Sequence, residues 1–315
     1  MPALPELPLS HGTVDFASER REDAGWLAER VADPTSRVLL MRGFEAVVTA
    51  DATAVHWFSP AEAGTGTLGP VFLGIGAGTD DAGVAYFAVM DPADVPLPEV
   101  EGLGADGPTT ATLRDVGMLL SPTDAGLVVH ALALARWHQN HRFCARCGAA
   151  SDVASAGHTR RCPVCNAQHF PRTDAAIIVL ITDAEDRALL IHGAAWVEGQ
   201  YSTLAGFVEP GESLEAAVIR EVGEESGITV VDPVYAGSQP WPFPASLMLG
   251  YFATAATTDV STDDVEVTAA RWFTRDDFKA EVEAGHVRTS SGLSISHQLI
   301  KQWYGGPLPV GPLHS

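Results

Sequence analysis

The sequence predicts an α+β protein with more than one domain, and three observations lead to this prediction. Short apolar runs separated by glycine recur over residues 38–90 and again over residues 175–192, as in the strands of sheets. Two CxxC pairs lie between these regions. A loop and a helix of about three turns follow, with Ser213 as the predicted N-cap and Gly227 as the C-terminal residue of positive φ. A chain of 315 residues can supply a core to each of two domains.

Composition and charge limit the possible functions. Lys+Arg 19 against Asp+Glu 40 gives a net charge of −21, which argues against nucleic-acid binding over the whole surface. The longest apolar run, Ala175–Ile181, is too short to cross a bilayer, so we expect no membrane partner. The N-terminus, Met-Pro-Ala-Leu-Pro, lacks the regions of a signal peptide, and all cysteines fall within Cys144–Cys165. We therefore expect a cytoplasmic protein.

The sequence before the cysteines predicts a surface helix, several strands and a connecting helix. The surface helix covers Ser18–Asp33, and Ser121-Pro122 opens the connecting helix, which ends near Asn140. We interpret Arg114, a lone arginine between them, as a surface or salt-bridge residue. The predicted strands are Val38–Met41, Ala46–Val48, Val55–Phe58, Val71–Ile75 and Val84–Met90.

The cysteines predict one structural zinc ion. Fourteen residues separate the two pairs, a spacing typical of a tetrahedral four-cysteine site, and four thiolates leave no open position for catalysis. The ligands would be Cys144, Cys147, Cys162 and Cys165. The alternative, a redox dithiol, requires a single CxxC beside a βαβ unit, and the sequence has none. We interpret the neighbouring histidines as surface residues: His141, His158 and His169.

Three carboxylates on the helix of the second region predict a divalent-metal site. Glu221, Glu224 and Glu225 stand at i, i+3 and i+4, so they share one helix face. Oxygen ligands of this kind suit Mg²⁺ or Mn²⁺ bound beside substrate phosphates. For the glutamates alone, a solvated acidic face is the alternative. Their spacing from two glycines, Glu212 and Arg220 favours the metal site.

With these residues in place, Gly206–Ile228 resembles the box of the Nudix hydrolases at every position. That family cleaves nucleoside diphosphates linked to another moiety. The resemblance implies a Nudix α/β/α sandwich, preceded by the four-cysteine zinc ribbon and by an N-terminal degenerate Nudix-like α+β domain used for dimerisation. The implied divisions are residues 1–120, a linker helix at 121–141, the ribbon at 142–168, the catalytic domain at 169–305 and a flexible tail at 306–315.

A proline-rich loop, Ser238–Ser246, points to the substrate. Its three prolines fix φ, so Trp241 and Phe243 are held rigidly and can stack on a base, while Gln239 and the serines can donate or accept hydrogen bonds. The alternatives are a partner-binding proline segment, although no PxxP occurs here, or a loop packed on its own domain.

The loop, SQPWPFPAS, is similar to that of the NADH pyrophosphatases of the Nudix family. This resemblance implies two or three catalytic Mg²⁺ or Mn²⁺ ions and one structural Zn²⁺. It implies metal ligands at Ala205 (carbonyl), Glu221, Glu224, Glu225 and Glu266, with Arg220 also among the catalytic residues and Asp263 and Asp264 as rivals of Glu266. It implies substrate contacts at Phe170, Phe207, Gln239, Pro240, Trp241, Pro242, Phe243, Pro244, Ala245, Ser246 and Ser296. Relatives more often carry tyrosine at the position of Phe170 and often alanine at that of Ser296.

The implied activity is hydrolysis of NADH and NAD⁺ to nicotinamide mononucleotide and AMP by a homodimer. Removal of NAD caps from RNA is a further expectation, and it needs a basic track for the RNA. The candidate arginines are Arg142, Arg146, Arg160, Arg161 and Arg172. One alternative keeps the chemistry but takes ADP-ribose or a dinucleoside polyphosphate as substrate. Another is a catalytically inert module that senses a nucleotide.

Overall fold

The computed structural model describes residues 4, 7–10, 14–98, 107–262 and 264–312. Contacts divide the chain into two compact units. The N-terminal unit holds the described residues of His11–Thr173 together with Trp241–Ala245. The C-terminal unit holds those of Met1–Ser10, Asp174–Pro240 and Ser246–Ser315. The five-part division given above stays a prediction.

The N-terminal unit is built on a mixed sheet with helices packed on it. The described strands are β1 (Val14–Asp15), β2 (Arg37–Arg42), β3 (Glu45–Val48), β4 (Trp57–Phe58), β5 (Val71–Gly76), β6 (Ala85–Asp91) and β7 (Thr109–Thr112). The helices are α1 (Ala24–Ala32), α2 (Pro60–Ala63), α3 (Leu113–Val116) and α4 (Pro122–Asn140). The sheet order is β1-β5-β6-β2-β3-β7, with β4 on β2. Helix α4 packs on β2 and β5.

The first predicted helix is divided in the structure. Ser18–Arg20 forms a short 3-10 turn, and α1 begins only after Asp23. The carboxylate of Asp23 accepts a hydrogen bond from the N–H of Trp26 at 3.0 Å, so this residue caps α1. The single helix predicted over Ser18–Asp33 is therefore wrong at its start, because a capping aspartate interrupts it.

A three-stranded ribbon follows α4 in the same unit. Its strands are β8 (Asp152–Ala154), β9 (Thr159–Arg161) and β10 (Gln168–His169), in the order β10-β9-β8. Gly157 lies so close to the sheet that a Cβ on it would stand 2.6 Å from Cγ1 of Val71. The carbonyl of Gly157 also lies 2.8 Å from Nε2 of His138 on α4. The ribbon is thus held tightly against β5 and α4.

The C-terminal unit is an α/β/α sandwich, as predicted. Its strands are β11 (Asp174–Thr182), β12 (Ala188–Gly193), β13 (Leu204–Phe207), β14 (Val230–Trp241), β15 (Ser246–Ala255) and β16 (Val267–Phe273). Its helices are α5 (Leu214–Ser226), α6 (Arg275–Glu283) and α7 (Ile295–Tyr304). Along β11, Ile178 and Leu180 join one apolar cluster, with residues of α6 and α7, while Ile177 and Val179 join another, with residues of α5. Alternate residues are buried on both faces, as the continuous apolar run predicts.

The two sheets share one topology. The order β14-β15-β11-β12-β16 with β13 on β11 matches β5-β6-β2-β3-β7 with β4 on β2, strand for strand in chain order. The central pairs agree in direction too, since β11 and β15 are parallel and so are β2 and β6. Helix α2 stands where α5 stands in the second sheet, but it has four residues against thirteen. Its one glutamate, Glu62, closes a capping box with Ser59. The N-terminal unit is therefore a reduced version of the same fold.

Candidate active site

The helix that carries the three glutamates begins and ends as predicted. The Ser213 hydroxyl accepts a hydrogen bond from the N–H of Ala216 at 3.2 Å, and Gly227 ends α5 in the left-handed region at φ 68°. The glutamates differ in their surroundings. Glu225 is buried, whereas the Glu224 side chain is 62% exposed.

Glu221 lies against strand β13. Its carboxylate fills the volume that a Cβ on Gly206 would occupy, so only glycine leaves room for it at this position. Strand β13 pairs with β11, with Gly206 opposite Ile177 and Ala205 opposite Ile178. The sheet therefore fixes the strand on which the Glu221 carboxylate rests.

Arg220 links the loop and the helix. Its Nε and Nη2 each donate to one Glu212 oxygen at 2.8 Å, and Nη2 also donates to the Phe207 carbonyl at 2.9 Å. Its Nη1 lies 2.9 Å from a Glu221 oxygen and 3.0 Å from a Glu224 oxygen. Hydrogen bonds from Arg220 lower the pKa of the Glu212 carboxyl to about 2, and those to Glu212 and Glu221 raise the pKa of Arg220. This guanidinium therefore positions Glu212.

The donor set fits a hard divalent cation. Glu221 presents its carboxylate beside the backbone of Gly206, and Glu225 follows one helical turn later. Glu266 is exposed immediately before β16, and its carbonyl accepts a hydrogen bond from the N–H of Ala194 at 2.9 Å. Among the described residues, only the cysteines form a group of three or more whose ligand atoms already lie together. Assignment of Ala205 and the four glutamates to a metal thus stays a prediction; Asp263 lies outside the described residues.

The aromatic tip of the loop, Trp241–Ala245, belongs to the N-terminal unit. The rings of Trp241 and Phe243 meet edge to face, with centroids 5.0 Å apart. The Arg114 guanidinium lies over both rings, 4.1 Å from the centroid of Phe243 and 5.1 Å from that of Trp241. The sequence analysis interprets Arg114 as a surface or salt-bridge residue, and no local pattern could have linked it to a loop 127 positions away along the chain.

Gln239 is enclosed by the C-terminal unit. Its Nε2 donates to the carbonyls of Pro8 and Leu293 at 2.7 and 2.8 Å, and its Oε1 accepts from the N–H of Ile295 at 2.8 Å. The side chain is 0% exposed. All of these bonds go to backbone, so the geometry disfavours the predicted contact of this amide with a base or ribose. Gln239 instead joins β14 to the N-terminus of α7.

Ser296 is also buried. Its hydroxyl lies 2.7 Å from that of Ser202 and accepts from the Thr203 hydroxyl at 2.9 Å. This hydroxyl cluster joins α7 to the segment before β13.

The other predicted substrate residues differ in how far their side chains are exposed. Phe170 and Phe207 are 64% and 58% exposed, Pro244 is exposed, Pro242 is buried, and Pro240, Ala245 and Ser246 are half-buried.

The four cysteines converge as predicted. Their sulfurs all lie within 4.8 Å of one another, with Cys144 and Cys165 at 3.6 Å and Cys147 and Cys162 at 3.5 Å. A tetrahedral zinc with Zn–S bonds of about 2.3 Å needs sulfurs about 3.8 Å apart. Gly148 and Asn166 each follow the second cysteine of a pair, and their φ values of 75° and 59° lie in the left-handed region that glycine and asparagine tolerate. The N–H of Cys165 lowers the pKa of the Cys162 thiol to about 6, which favours the thiolate that zinc binds.

Two predictions about the ribbon are wrong. Arg160 is buried, with Nε donating to the Ser151 hydroxyl at 2.9 Å and Nη1 lying 3.1 Å from Nδ1 of His138, so it is not part of an exposed basic track. His158 is buried rather than on the surface, with its Nε2 3.2 Å from Nε2 of His130. Both side chains lie where α4 meets the ribbon. Arg142, Arg146, Arg161 and Arg172 are exposed.

Comparison with known proteins places the chain in a family. A protein of Mycobacterium bovis (strain BCG / Pasteur 1173P2) named NAD-capped RNA hydrolase NudC is 38% identical over 94% of this chain and 94% of its own. The chain belongs to the Nudix hydrolase family. Family models match this Nudix hydrolase in three places: a NUDIX domain at residues 171–291, an NADH pyrophosphatase zinc ribbon domain at 139–170, and an NADH pyrophosphatase-like rudimentary NUDIX domain at 35–137.

Two further proteins resemble this Nudix hydrolase. One, from Macaca fascicularis, is named NAD-capped RNA hydrolase NUDT12 and is 30% identical over 92% of this chain and 71% of its own. The other is the crystal structure of a NUDIX hydrolase from Nitrosomonas europaea, 19% identical, covering 54% of this chain and 97% of its own with a TM-score of 0.42. Within the described residues, no helix has both the length and the apolar character needed to cross a membrane.

Proposed function

We propose that this protein hydrolyses the diphosphate of NADH and NAD⁺ to nicotinamide mononucleotide and AMP, and that it removes NAD caps from RNA. The observation that carries the proposal is the Glu221 carboxylate resting against Gly206 on a helix whose loop Arg220 fixes. The relatives named as NAD-capped RNA hydrolases, similar over nearly the whole chain, support the substrate class.

In this proposal the chain's own residues position the reacting groups. Glu221, Glu224, Glu225 and Glu266 would hold two or three Mg²⁺ or Mn²⁺ ions with the Ala205 carbonyl. Such ions neutralise diphosphate charge and lower the pKa of an attacking water. A water molecule adds to one phosphorus, and the bond between that phosphorus and the bridging oxygen breaks. The proton that the water loses passes to the solvent. Arg220 holds the loop and α5 in register through Glu212.

Product analysis after incubation with NADH and Mn²⁺ tests the activity. Equal amounts of reduced nicotinamide mononucleotide and AMP are expected. Preferential cleavage of ADP-ribose or a dinucleoside polyphosphate would show that the substrate is one of these and not NADH. If none of the three compounds is hydrolysed, the inert sensing module is favoured. Glu225→Gln serves as the inactive control because it retains the shape of the side chain.

Sedimentation velocity tests the proposed homodimer, and fractionation of the source cells tests the cytoplasmic location.

For NAD-capped RNA, the exposed arginines of the ribbon are the proposed track. Reversing the charge of Arg146 and Arg161 together should weaken hydrolysis of capped RNA and spare NADH, which has no RNA body for a basic track to bind. Lys279→Glu is a matched control, since Lys279 is exposed on α6. Each lost phosphate contact should reduce the log–log salt slope by about 0.7. Equal rates of cap removal in all three proteins would exclude the track.

A further inference from the structure

A cavity of about 410 Å³ lies in the C-terminal unit, outside the residues assigned above to metal or substrate. One wall is the chain end, where Pro307–Pro312 lies against Val282 and Val287. The sequence predicts a flexible tail here; a Cβ on Gly311 would stand 2.7 Å from the Val282 carbonyl, which shows how closely the described part packs. Residues 313–315 lie outside the described residues. The volume falls within the range of about 300–1,000 Å³ that small-molecule sites occupy.

The lining of the cavity includes three basic side chains. They are Arg288, His297 and Lys301, and none of the described residues that line the cavity is Asp or Glu. This is unusual in a chain with Lys+Arg 19 and Asp+Glu 40. Within the described residues, neither Arg288 nor Lys301 forms an ion pair. The cavity therefore concentrates positive charge without a carboxylate to balance it.

The backbone of Arg288 and the ring of His297 are held in place, while the side chains of Arg288 and Lys301 are exposed. The backbone N–H of Arg288 donates to the Gly199 carbonyl and its carbonyl accepts from the N–H of Tyr201, both at 2.8 Å. Nδ1 of His297 donates to the Ser290 carbonyl at 3.1 Å, so Nε2 can donate to a phosphate only when the ring is protonated. Lys301 stands one turn after His297 on α7, and burial together with this ammonium lowers the pKa of the imidazole.

We propose that this cavity binds a small phosphomonoester, whose phosphate contacts Arg288, His297 and Lys301 and whose apolar body lies against Pro307–Pro312. A phosphate dianion matches the two permanent positive charges, and a guanidinium can hold two of its oxygens at once. A carboxylate, with a single charge, matches them less well. The apolar wall explains why an organic phosphate should bind more tightly than inorganic phosphate.

Calorimetry with phenyl phosphate, inorganic phosphate and benzoate tests the site, on full-length zinc-loaded protein without added Mg²⁺ or Mn²⁺. Phenyl phosphate should bind most tightly and should shift the His297 ring signals in NMR spectra. Arg288→Ala and Lys301→Ala should each weaken its binding about tenfold. Lys279→Ala, which removes an exposed lysine on α6, should leave binding unchanged. Equal affinities in all four proteins, or an unshifted His297, would overturn the proposal, as would tighter binding of benzoate. None of these results depends on whether NADH is hydrolysed.

Discussion

The carboxylate of Glu221 and the missing side chain of Gly206 fit each other: one occupies the volume that the other leaves empty. Gly206 does not have a positive φ, so its backbone would accept an alanine without strain. The requirement for glycine at this position therefore comes from the neighbouring carboxylate and not from the chain's own conformation. A substitution at Gly206 should therefore change activity through Glu221 and should not disturb folding through the backbone.

Gly206→Ala should reduce kcat by about 100-fold, because displacing a positioned group by about 1 Å has effects of that size. Gly223→Ala on α5 is the matched control. No atom outside the helix backbone lies within 4 Å of its added Cβ, so it should stabilise the protein by about 0.5–1 kcal/mol and leave kcat unchanged. Steady-state kinetics with NADH and thermal unfolding measure the two effects. A fully active Gly206→Ala protein would remove Glu221 from the reaction.

Stability should depend on acid pH through Glu212. Its folded pKa of about 2 lies below the unfolded value of about 4.3, so its contribution is complete above pH 4.3 and is lost as the pH falls towards 2. Glu212→Gln should therefore be less stable than the parent protein at pH 7, and the gap should close between about pH 4.3 and 2. Urea unfolding at pH 7, 4 and 3 measures this gap. The exposed Glu198→Gln provides the comparison, and a gap independent of pH would contradict the pairing with Arg220.

Cys144→Ser should release zinc and unfold the ribbon, because a closed four-cysteine site contributes directly to folding. Val164→Ser is the control, since Val164 lies between two ligands but is 74% exposed. Elemental analysis should find one zinc per chain in the control and in the parent protein, and much less in the cysteine variant. Stoichiometric zinc in Cys144→Ser would refute the ligand assignment.

Gln239→Leu should destabilise the C-terminal unit by on the order of 3 kcal/mol, because it leaves three buried backbone groups without partners. Chemical denaturation measures this loss, and the exposed Gln168→Leu should show little change. If Gln239 acted instead by contacting the substrate, KM for NADH would rise while the free energy of unfolding stayed the same.

Sequence reasoning succeeded where a feature is local. The ends of α5 and the apolar strand β11 each follow from a few neighbouring residues. The convergence of four cysteines was also predictable, because a metal site dictates its own spacing.

It failed where long-range packing decides the role of a polar residue. Arg160 and Gln239 look like surface donors in the sequence, yet folding buries both against backbone and side-chain partners from distant segments. Strand β14 also runs on to Trp241, into the segment Ser238–Ser246 that the sequence predicts as a loop. The sequence analysis does not predict helix α6, because only two of its residues, Phe278 and Val282, are buried and two are too few for a periodic apolar pattern.

The contact of Gly157 with Val71 also determines where this chain can be cut. A fragment that starts at residue 121 keeps α4 and the ribbon but removes β5, so it exposes the side of α4 that packs on that strand and leaves Gly157 facing solvent. Such a fragment should aggregate. The sheet of the N-terminal unit, α4 and the ribbon form one structural unit. A shortened protein intended to keep its zinc should retain all three.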